Sequence, residues 1–228
     1  MILLEAKNVH YIYQSKYQKV HALKGVSCVF EAGKLYAIIG HSGSGKTTLL
    51  SMLAGLGTPT EGAVYAGGEP IEKFGVERHR RENVSVIYQA FNLFATLNIL
   101  ENVMYPMQLS GKSKKAAKEK AAELLNSVGI KEAAFRKLPA MLSGGEQQRV
   151  AIARALASDA KTILADEPTG NLDTENGRIV LALLKRLVRE ERYCVIIVTH
   201  DLDIAAGADV VYRMTDGHLT HDEGDSIC

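Results

Sequence analysis

The sequence has almost no net charge, few cysteines, no long apolar run and no linker. Its 27 basic residues balance 26 acidic ones to a formal charge of +1, so no general electrostatic argument brings it to nucleic acid or to an anionic membrane. The three cysteines, Cys28, Cys194 and Cys228, share no metal-ligand or redox spacing. An odd, scattered count favours a reducing compartment. Cys28 in "VSCVF" and Cys194 in "YCVIIV" sit in strand-like runs and are expected as buried free thiols. The start "MILLEAKNVH" lacks the basic opening and longer apolar core of a signal peptide. No stretch approaches the roughly 18 apolar residues of a membrane span. The expectation is a soluble chain that works at a membrane only through a partner. No repeat, low-complexity segment or Pro/Ser-rich linker divides it.

What is present is enough apolar residue for a full core: 46% of 228 residues, which fits one domain with an inserted subdomain. The first 35 residues read as short strands and turns. The apolar strand "LYAIIG" then runs into a glycine turn and the helix "KTTLLSMLAGL". Further strands are expected at "VSVIYQ" (84–89), "TILAD" (162–166), "CVIIVTH" (194–200) and "VVYRM" (210–214). They are rich in Val and Ile without clean alternation, as suits strands covered on both faces. Between 96 and 157 the texture turns helical, with Gly111 and Gly129 as stops. In "TENGRIVLALLKRLVREE", helical spacing puts Val180, Leu183, Leu184, Leu187 and Val188 on one face. This α/β chain is thus expected to hold its strand-rich core in 1–89 and 158–228, interrupted by a helical subdomain over 90–157.

Gly40-His41-Ser42-Gly43-Ser44-Gly45-Lys46-Thr47 matches the phosphate-loop pattern G-x-x-x-x-G-K-[ST], between a buried strand and a helix. Glycines let the backbone curl so that N–H groups converge on phosphate oxygens, and the following helix adds its positive end. Lys46 supplies charge for the outer phosphates, and the Thr47 hydroxyl is a ligand for Mg²⁺. Ser42 through Thr48 are the nucleotide-binding residues this predicts.

"TILADEP" is a strand that ends in Asp166 and Glu167. Beside a phosphate loop, one acid at a neighbouring strand's end holds Mg²⁺ through its water shell, and a second polarises the attacking water. His200 closes another strand, where open α/β sheets bind ligands; it would contact the terminal phosphate and the water. The plainer reading is a polar residue that ends a strand. Gln89 closes "VSVIYQ" at the border of the helical block, and its amide can serve a phosphate, a water or the metal's water shell.

A second glycine turn opens the stretch "LSGGEQQRVAIARAL" (142–156). Ser143 and Glu146 form a capping box, which accounts for a helix start but not for two glycines. Free N–H groups at such a start form another anion site.

Taken in order, "GHSGSGKTT", "LSGGEQQR", "ILADEP" and "THD" resemble the ATP-binding cassette family across essentially the whole chain, "LSGGEQQR" being the most discriminating piece. The resemblance implies a P-loop NTPase (RecA-like) core with an N-terminal antiparallel β subdomain and an inserted α-helical subdomain. It implies ATP and Mg²⁺ as ligands, and two nucleotides sandwiched in an ATP-dependent homodimer. Ser143, Gly144 and Gly145 would then act on the partner's nucleotide. Asp166 would be the magnesium acid, with Thr47 and Gln89 beside it; Glu167 would be the catalytic base and His200 the switch histidine. Gln89 would also touch an integral-membrane permease subunit, so the chain would sit at the cytoplasmic face of the cell membrane. Asp173 in "GNLD" matches the loop that crosses the dimer interface, and equally suits a helix cap. For the aromatic that stacks on adenine, "KNVHYIYQS" offers Tyr11 and Tyr13, of which spacing favours Tyr13. His41, Thr47 and Glu146 depart from the commonest family residues without removing a required group.

Within the family, "PTGNLD" and "NLFATLNILENVMYPM" are most similar to cassettes of lipoprotein-release and macrolide or antimicrobial-peptide exporters. A regulatory cassette that drives a cell-wall hydrolase or sensor without moving cargo is the alternative. Nucleic-acid ATPases of the family carry a coiled coil, zinc cysteines or a duplicated cassette, and none is present. The lysines of "GKSKKAAKEK" read as a solvated helix face, with phospholipid heads or a partner as the other option.

Overall fold

The computed structural model describes residues 1–14 and 18–221, so Cys228 lies outside the described residues. Two sheets meet across one helix. β1 (Ile2–Gln14), β2 (Lys19–Glu31), β4 (Glu61–Ala66) and β5 (Glu69–Pro70) form an antiparallel sheet in the order β2-β1-β4-β5. The short strands expected at the start are two strands of 13 residues each. Their pairing slips between Ala6 and Val9, again between Val9 and Tyr11, and between Tyr11 and Ile12. A bulge adds an unpaired residue and breaks the two-residue alternation, which hid the length of these strands.

The second sheet contains β3 (Leu35–Ile39), β6 (Val84–Ile87), β7 (Thr162–Asp166), β8 (Cys194–Thr199), β9 (Val210–Thr215) and β10 (His218–His221), ordered β10-β9-β3-β8-β7-β6. Pairing is parallel throughout except in the β9–β10 hairpin. β3 and β8 are buried along their whole length, as strands covered on both faces should be. β9 is not: only Met214 is buried, one strand in from the sheet edge. β6 stops at Ile87, two residues short of the expected end, so Gln89 stands beyond the strand in the following loop.

α1 (Lys46–Leu53) lies between the two sheets. Its Leu49, Leu50 and Leu53 share a core with Leu4, Val9, Val26 and Phe30 of the antiparallel sheet and with Ile38 and Ile196 of the other. α2 (Ile71–Phe74) and α3 (Val76–Glu82) follow. The opposite face of the six-stranded sheet is covered by α4 (Ile99–Leu109), α5 (Lys114–Ser127), α6 (Gly144–Leu156) and α7 (Thr174–Glu191). α8 (Leu202–Ala206) packs beside β3. Asn98 and Glu101 form a capping box on α4, and Ser113 caps α5. The five residues expected on one face of α7 are its buried ones; each such side chain contributes about 1.5–3 kcal/mol of burial.

Cys28 and Cys194 are buried and free, and burial pushes both thiols up to about 12. They are packing residues with negligible thiolate at neutral pH.

Candidate active site

The carboxyl ends of β3, β8, β7 and β6 lie side by side, and each delivers one piece of the site. From β3 the chain turns through 40–45 into α1. Gly45 has φ 110, and a Cβ there would lie 2.6 Å from the Ala22 carbonyl, so a glycine is required to close the loop against β2. Lys46 folds back over the turn it ends: its Nζ donates to the carbonyls of Gly40 at 2.8 Å and His41 at 3.0 Å. The Ser44 hydroxyl is buried and has no partner. An unsatisfied buried hydroxyl and an ammonium held only by carbonyls are groups that an anion would complete.

Asp166, at the end of β7, accepts a hydrogen bond from the Thr47 hydroxyl at 3.3 Å. Burial raises its pKa, the Thr47 bond opposes this, and the neighbouring Glu167 raises it further. Two adjacent carboxylates partly removed from water call for a cation. Thr47 and Asp166 together are hard oxygen donors of the kind Mg²⁺ takes. The residues fit that ion.

Glu167 has φ 45, and this left-handed step, rare outside glycine, turns its carboxylate across the end of β8. There Oε2 accepts from the Thr199 hydroxyl at 2.9 Å, while Oε1 accepts from the His200 backbone N–H at 3.1 Å and lies 2.7 Å from His200 Nδ1. Because a carboxylate only accepts, Nδ1 carries a proton, and in the neutral ring Nε2 is the acceptor. Three donors use three of the four or so lone-pair positions of a carboxylate, which leaves room for one water. Gln89 reaches the same region from its loop, anchored by Asn171: Gln89 Nε2 donates to Asn171 Oδ1 at 3.3 Å, and Asn171 Nδ2 donates to the Gln89 carbonyl at 3.0 Å.

These groups surround an open cavity of about 1080 Å³, lined by Ser42, Gly43, Gly45, Lys46, Thr47, Thr48, Gln89, Glu167, His200 and, at one end, Tyr13. Tyr13 is half exposed, with its hydroxyl 3.3 Å from that of Thr48. Tyr11 meets it edge-on at 4.8 Å between ring centroids and is partly buried against the core. Asp166 and Ser44 are not among the lining residues. Sequence reasoning missed the wall made by Val20, His21, Ala22 and Lys24 of β2 with Asp216 and Gly217 of the β9–β10 turn. The Lys24 N–H donates to the Gly217 carbonyl at 2.9 Å. No motif marks this wall, since it arises where two sheets close on each other.

The ABC transporter family model matches residues 23–170, the stretch that runs from this wall through the phosphate turn and the acidic strand end. The chain belongs to that family. It is an ABC-type ATPase cassette. It is 39% identical over 227 residues, the full length of both chains, to the uncharacterized ABC transporter ATP-binding protein YclH of Bacillus subtilis. It is 42% identical to the lipoprotein-releasing system ATP-binding protein LolD of Saccharophagus degradans, covering 95% of this chain and 96% of that one. The macrolide export ATP-binding/permease protein MacB of Photorhabdus laumondii is 40% identical over 99% of this chain, which spans only 35% of that longer protein. Among solved structures, the dimeric bacterial ABC transporter cassette MJ0796 superposes with a TM-score of 0.88 at 35% identity, over 97% of this chain and all of that one. The same cassette is known in a dimeric post-hydrolysis state bound to ADP and Pi.

In the cassette, the second glycine turn stands apart from the cavity: Ser143, Gly144 and Gly145 are not among its lining residues. Ser143 caps α6, with its Oγ accepting from the Glu146 N–H at 3.3 Å and Glu146 Oε2 accepting from the Ser143 N–H at 2.9 Å. The bond from Ser143 holds the Glu146 carboxyl below its usual range. The capping box leaves the N–H groups of Gly144 and Gly145 in a first helical turn, where no preceding carbonyl serves them. The two glycines have different reasons. A Cβ on Gly145 would overlap the side chain of Asn176, whereas one on Gly144 would meet nothing closer than 3.6 Å. Among the described residues, no contact requires a glycine at 144. Asp173 is the N-cap of α7: Oδ1 accepts from the Asn176 N–H and Oδ2 from its side-chain amide, both at 2.8 Å. Those bonds lower its pKa. Asp173 also lies outside the cavity lining. No helix among the described residues is long and apolar enough to cross a membrane.

Proposed function

We propose that this chain is the energy-supplying subunit of an exporter or extractor of peptide, drug or lipoprotein, and that two copies close head to tail on two ATP molecules. Lys46 and the N–H groups of the 42–48 turn hold the outer phosphates, and Tyr13 stacks on adenine. Glu167 takes the proton of a water that attacks the terminal phosphate in line, and His200, fixed by Glu167, presents Nε2 to that water as an acceptor when the ring is neutral and to the phosphate as a donor when it is protonated. Mg²⁺, held by Thr47 and Asp166 with Gln89 at its water shell, supplies charge neutralisation at the outer phosphates when bound. Ser143, Gly144 and Gly145 complete the partner's site, and Asp173 lies along the interface. The helices over 90–157 act as one subdomain against the core and carry the motion to a membrane permease, at the cytoplasmic face of the membrane.

The observation that carries this reading is the pair of turns. One forms the cavity and the other, with the N–H groups of Gly144 and Gly145 served by no preceding carbonyl and a glycine at 144 that packing among the described residues does not demand, is not part of its lining. The relatives named LolD and MacB favour cargo movement over a purely regulatory role, and nothing in the chain favours nucleic acid as a partner. Trans action is testable by mixing variants. Lys46→Ala and Gly144→Asp are each expected to be inactive in ATP hydrolysis. Their mixture forms one intact composite site per mixed dimer and regains turnover. A mixture as inactive as its parts would refute head-to-tail closure.

A further inference from the structure

The loop that carries Gln89 contains two consecutive non-glycine residues in the left-handed region, Phe91 with φ 59 and Asn92 with φ 48. That region is disfavoured for Phe91 and more readily visited by Asn92; local bonds from the Phe91 N–H to the Tyr88 carbonyl at 3.2 Å and from the Asn92 N–H to the Ala90 carbonyl at 2.6 Å shape the turn. The side-chain hold on their carbonyls comes from another element. Arg154, in the last turn of α6, donates from Nη1 to the Asn92 carbonyl at 2.6 Å and from Nη2 to the Phe91 carbonyl at 3.0 Å. Its guanidinium carbon lies 5.8 Å from the Phe94 ring centroid. Its partners are carbonyls rather than a carboxylate, so these bonds provide much of the solvation of a half-buried cation and are of the strong, charge-assisted kind.

The rest of the loop is tied down separately. Buried Asn102 accepts from the Phe94 N–H at 2.8 Å and donates to the carbonyls of Phe94, Leu97 and Asn98 at 2.9–3.1 Å. Asn171 holds Gln89 at the cavity end. Between these two anchors, Arg154 is the side chain that fixes the strained peptides.

We infer that Arg154 is a positioning residue: its planar fork locks the left-handed Phe91–Asn92 pair, so that Gln89 is held at the cavity in register with the helix that begins at Ser143. A lysine cannot replace the fork, because it offers one point charge and no fixed pair of donors. Movement at the second glycine turn thereby has a route to Gln89 through α6 and the Arg154 guanidinium, beside the direct approach of Gly144 to Phe91 and Asn171.

The part of this inference that concerns turnover rests on the proposed role of Gln89, and the test separates the two. Amide hydrogen exchange of the purified chain reads the latch without nucleotide. Arg154→Met should speed exchange in 89–94 by about tenfold or more while α6 and β7 keep their protection. Unchanged exchange in the loop, or protection lost along α6 as well, would overturn the latch. For steady-state ATP hydrolysis, Arg154→Met should lower kcat with the KM for ATP within about twofold, and Arg154→Lys should recover only part of it. The double variant with Gln89→Ala should be no slower than Gln89→Ala alone. Additive losses, or a Gln89→Ala variant with wild-type kcat, would overturn the link from Arg154 to catalysis. A chain that hydrolyses no ATP would instead defeat the proposed function, and the exchange result would still decide the latch.

Discussion

His200 Nδ1 lies 2.7 Å from Glu167 Oε1, and the same oxygen accepts the His200 backbone N–H. One residue thus grips the candidate base twice, once through its ring and once through its main chain. The ring contact fixes both the direction of the carboxylate and the tautomer of the histidine.

Glu167→Gln should lower ATP turnover by about 10²–10⁴-fold, the usual worth of a positioned acid–base group, yet retain ATP binding. Size-exclusion chromatography with Mg·ATP should then show a trapped dimer. Monomers under those conditions would defeat the dimer mechanism. His200→Ala keeps the backbone grip on Glu167 and should lose kcat with little change in the KM for ATP.

Tyr13 is expected to act through its ring. Removing a stacked aromatic costs about 1–3 kcal/mol per base, so Tyr13→Ala should raise the dissociation constant for ATP by about 5- to 150-fold. Tyr13→Phe loses only the hydroxyl contact to Thr48 and should bind nearly as the native chain does. Equal affinities for all three in a fluorescent-nucleotide titration would remove Tyr13 from the site.

Asp173 has a cap role in view and an interface role proposed, and one substitution separates them. Asp173→Ala should cost about 1 kcal/mol of stability as the cap is lost. Asp173→Ser should restore that stability in urea unfolding, because serine caps as well. Dimerisation with ATP should remain impaired in both. Full recovery by serine would leave Asp173 as a cap alone.

His79 makes stability depend on pH. It is buried on α3, its Nε2–H donates to the Leu53 carbonyl at 2.9 Å, and its Nδ1 has no partner. Burial lowers its pKa below the ordinary 6.5, opposed by the Leu53 bond and aided by Arg80. The unfolded chain therefore takes the proton first as pH falls. Stability is full above about pH 6.5 and declines below it, by at most about 1.4 kcal/mol per pH unit from this group. Urea midpoints at pH 7.5 and 5.5 should diverge in the native chain, and less so in His79→Gln, which keeps a donor without titrating. An identical pH slope in both would exclude His79 as the source.

Much of this site is local in sequence. The phosphate turn, the acid pair that ends β7 and the histidine that ends β8 are each a strand end followed by a characteristic residue, and strand ends are legible from short apolar runs. The face of α7 and the capping box of α6 follow from helical spacing and hydrogen-bond chemistry within four residues. The bulged length of β1 and β2 was not legible, because bulges shift the alternation on which strand reading depends. Nor was the early end of β6, where the apolar run passes through Tyr88 but the pairing does not.

The sequence by itself determined which chemical groups this cassette has and that its two glycine turns both present helix starts, since turn and cap preferences act over a few residues. Only the tertiary structure decided that the turns face different places. It also decided that Tyr13 rather than Tyr11 borders the cavity, that Gly145 answers to Asn176 while Gly144 has no such close neighbour among the described residues, and that Arg154 bonds the left-handed peptides of the Gln89 loop. Those relationships join residues tens of positions apart, and only the packing of the sheets and helices brings them together.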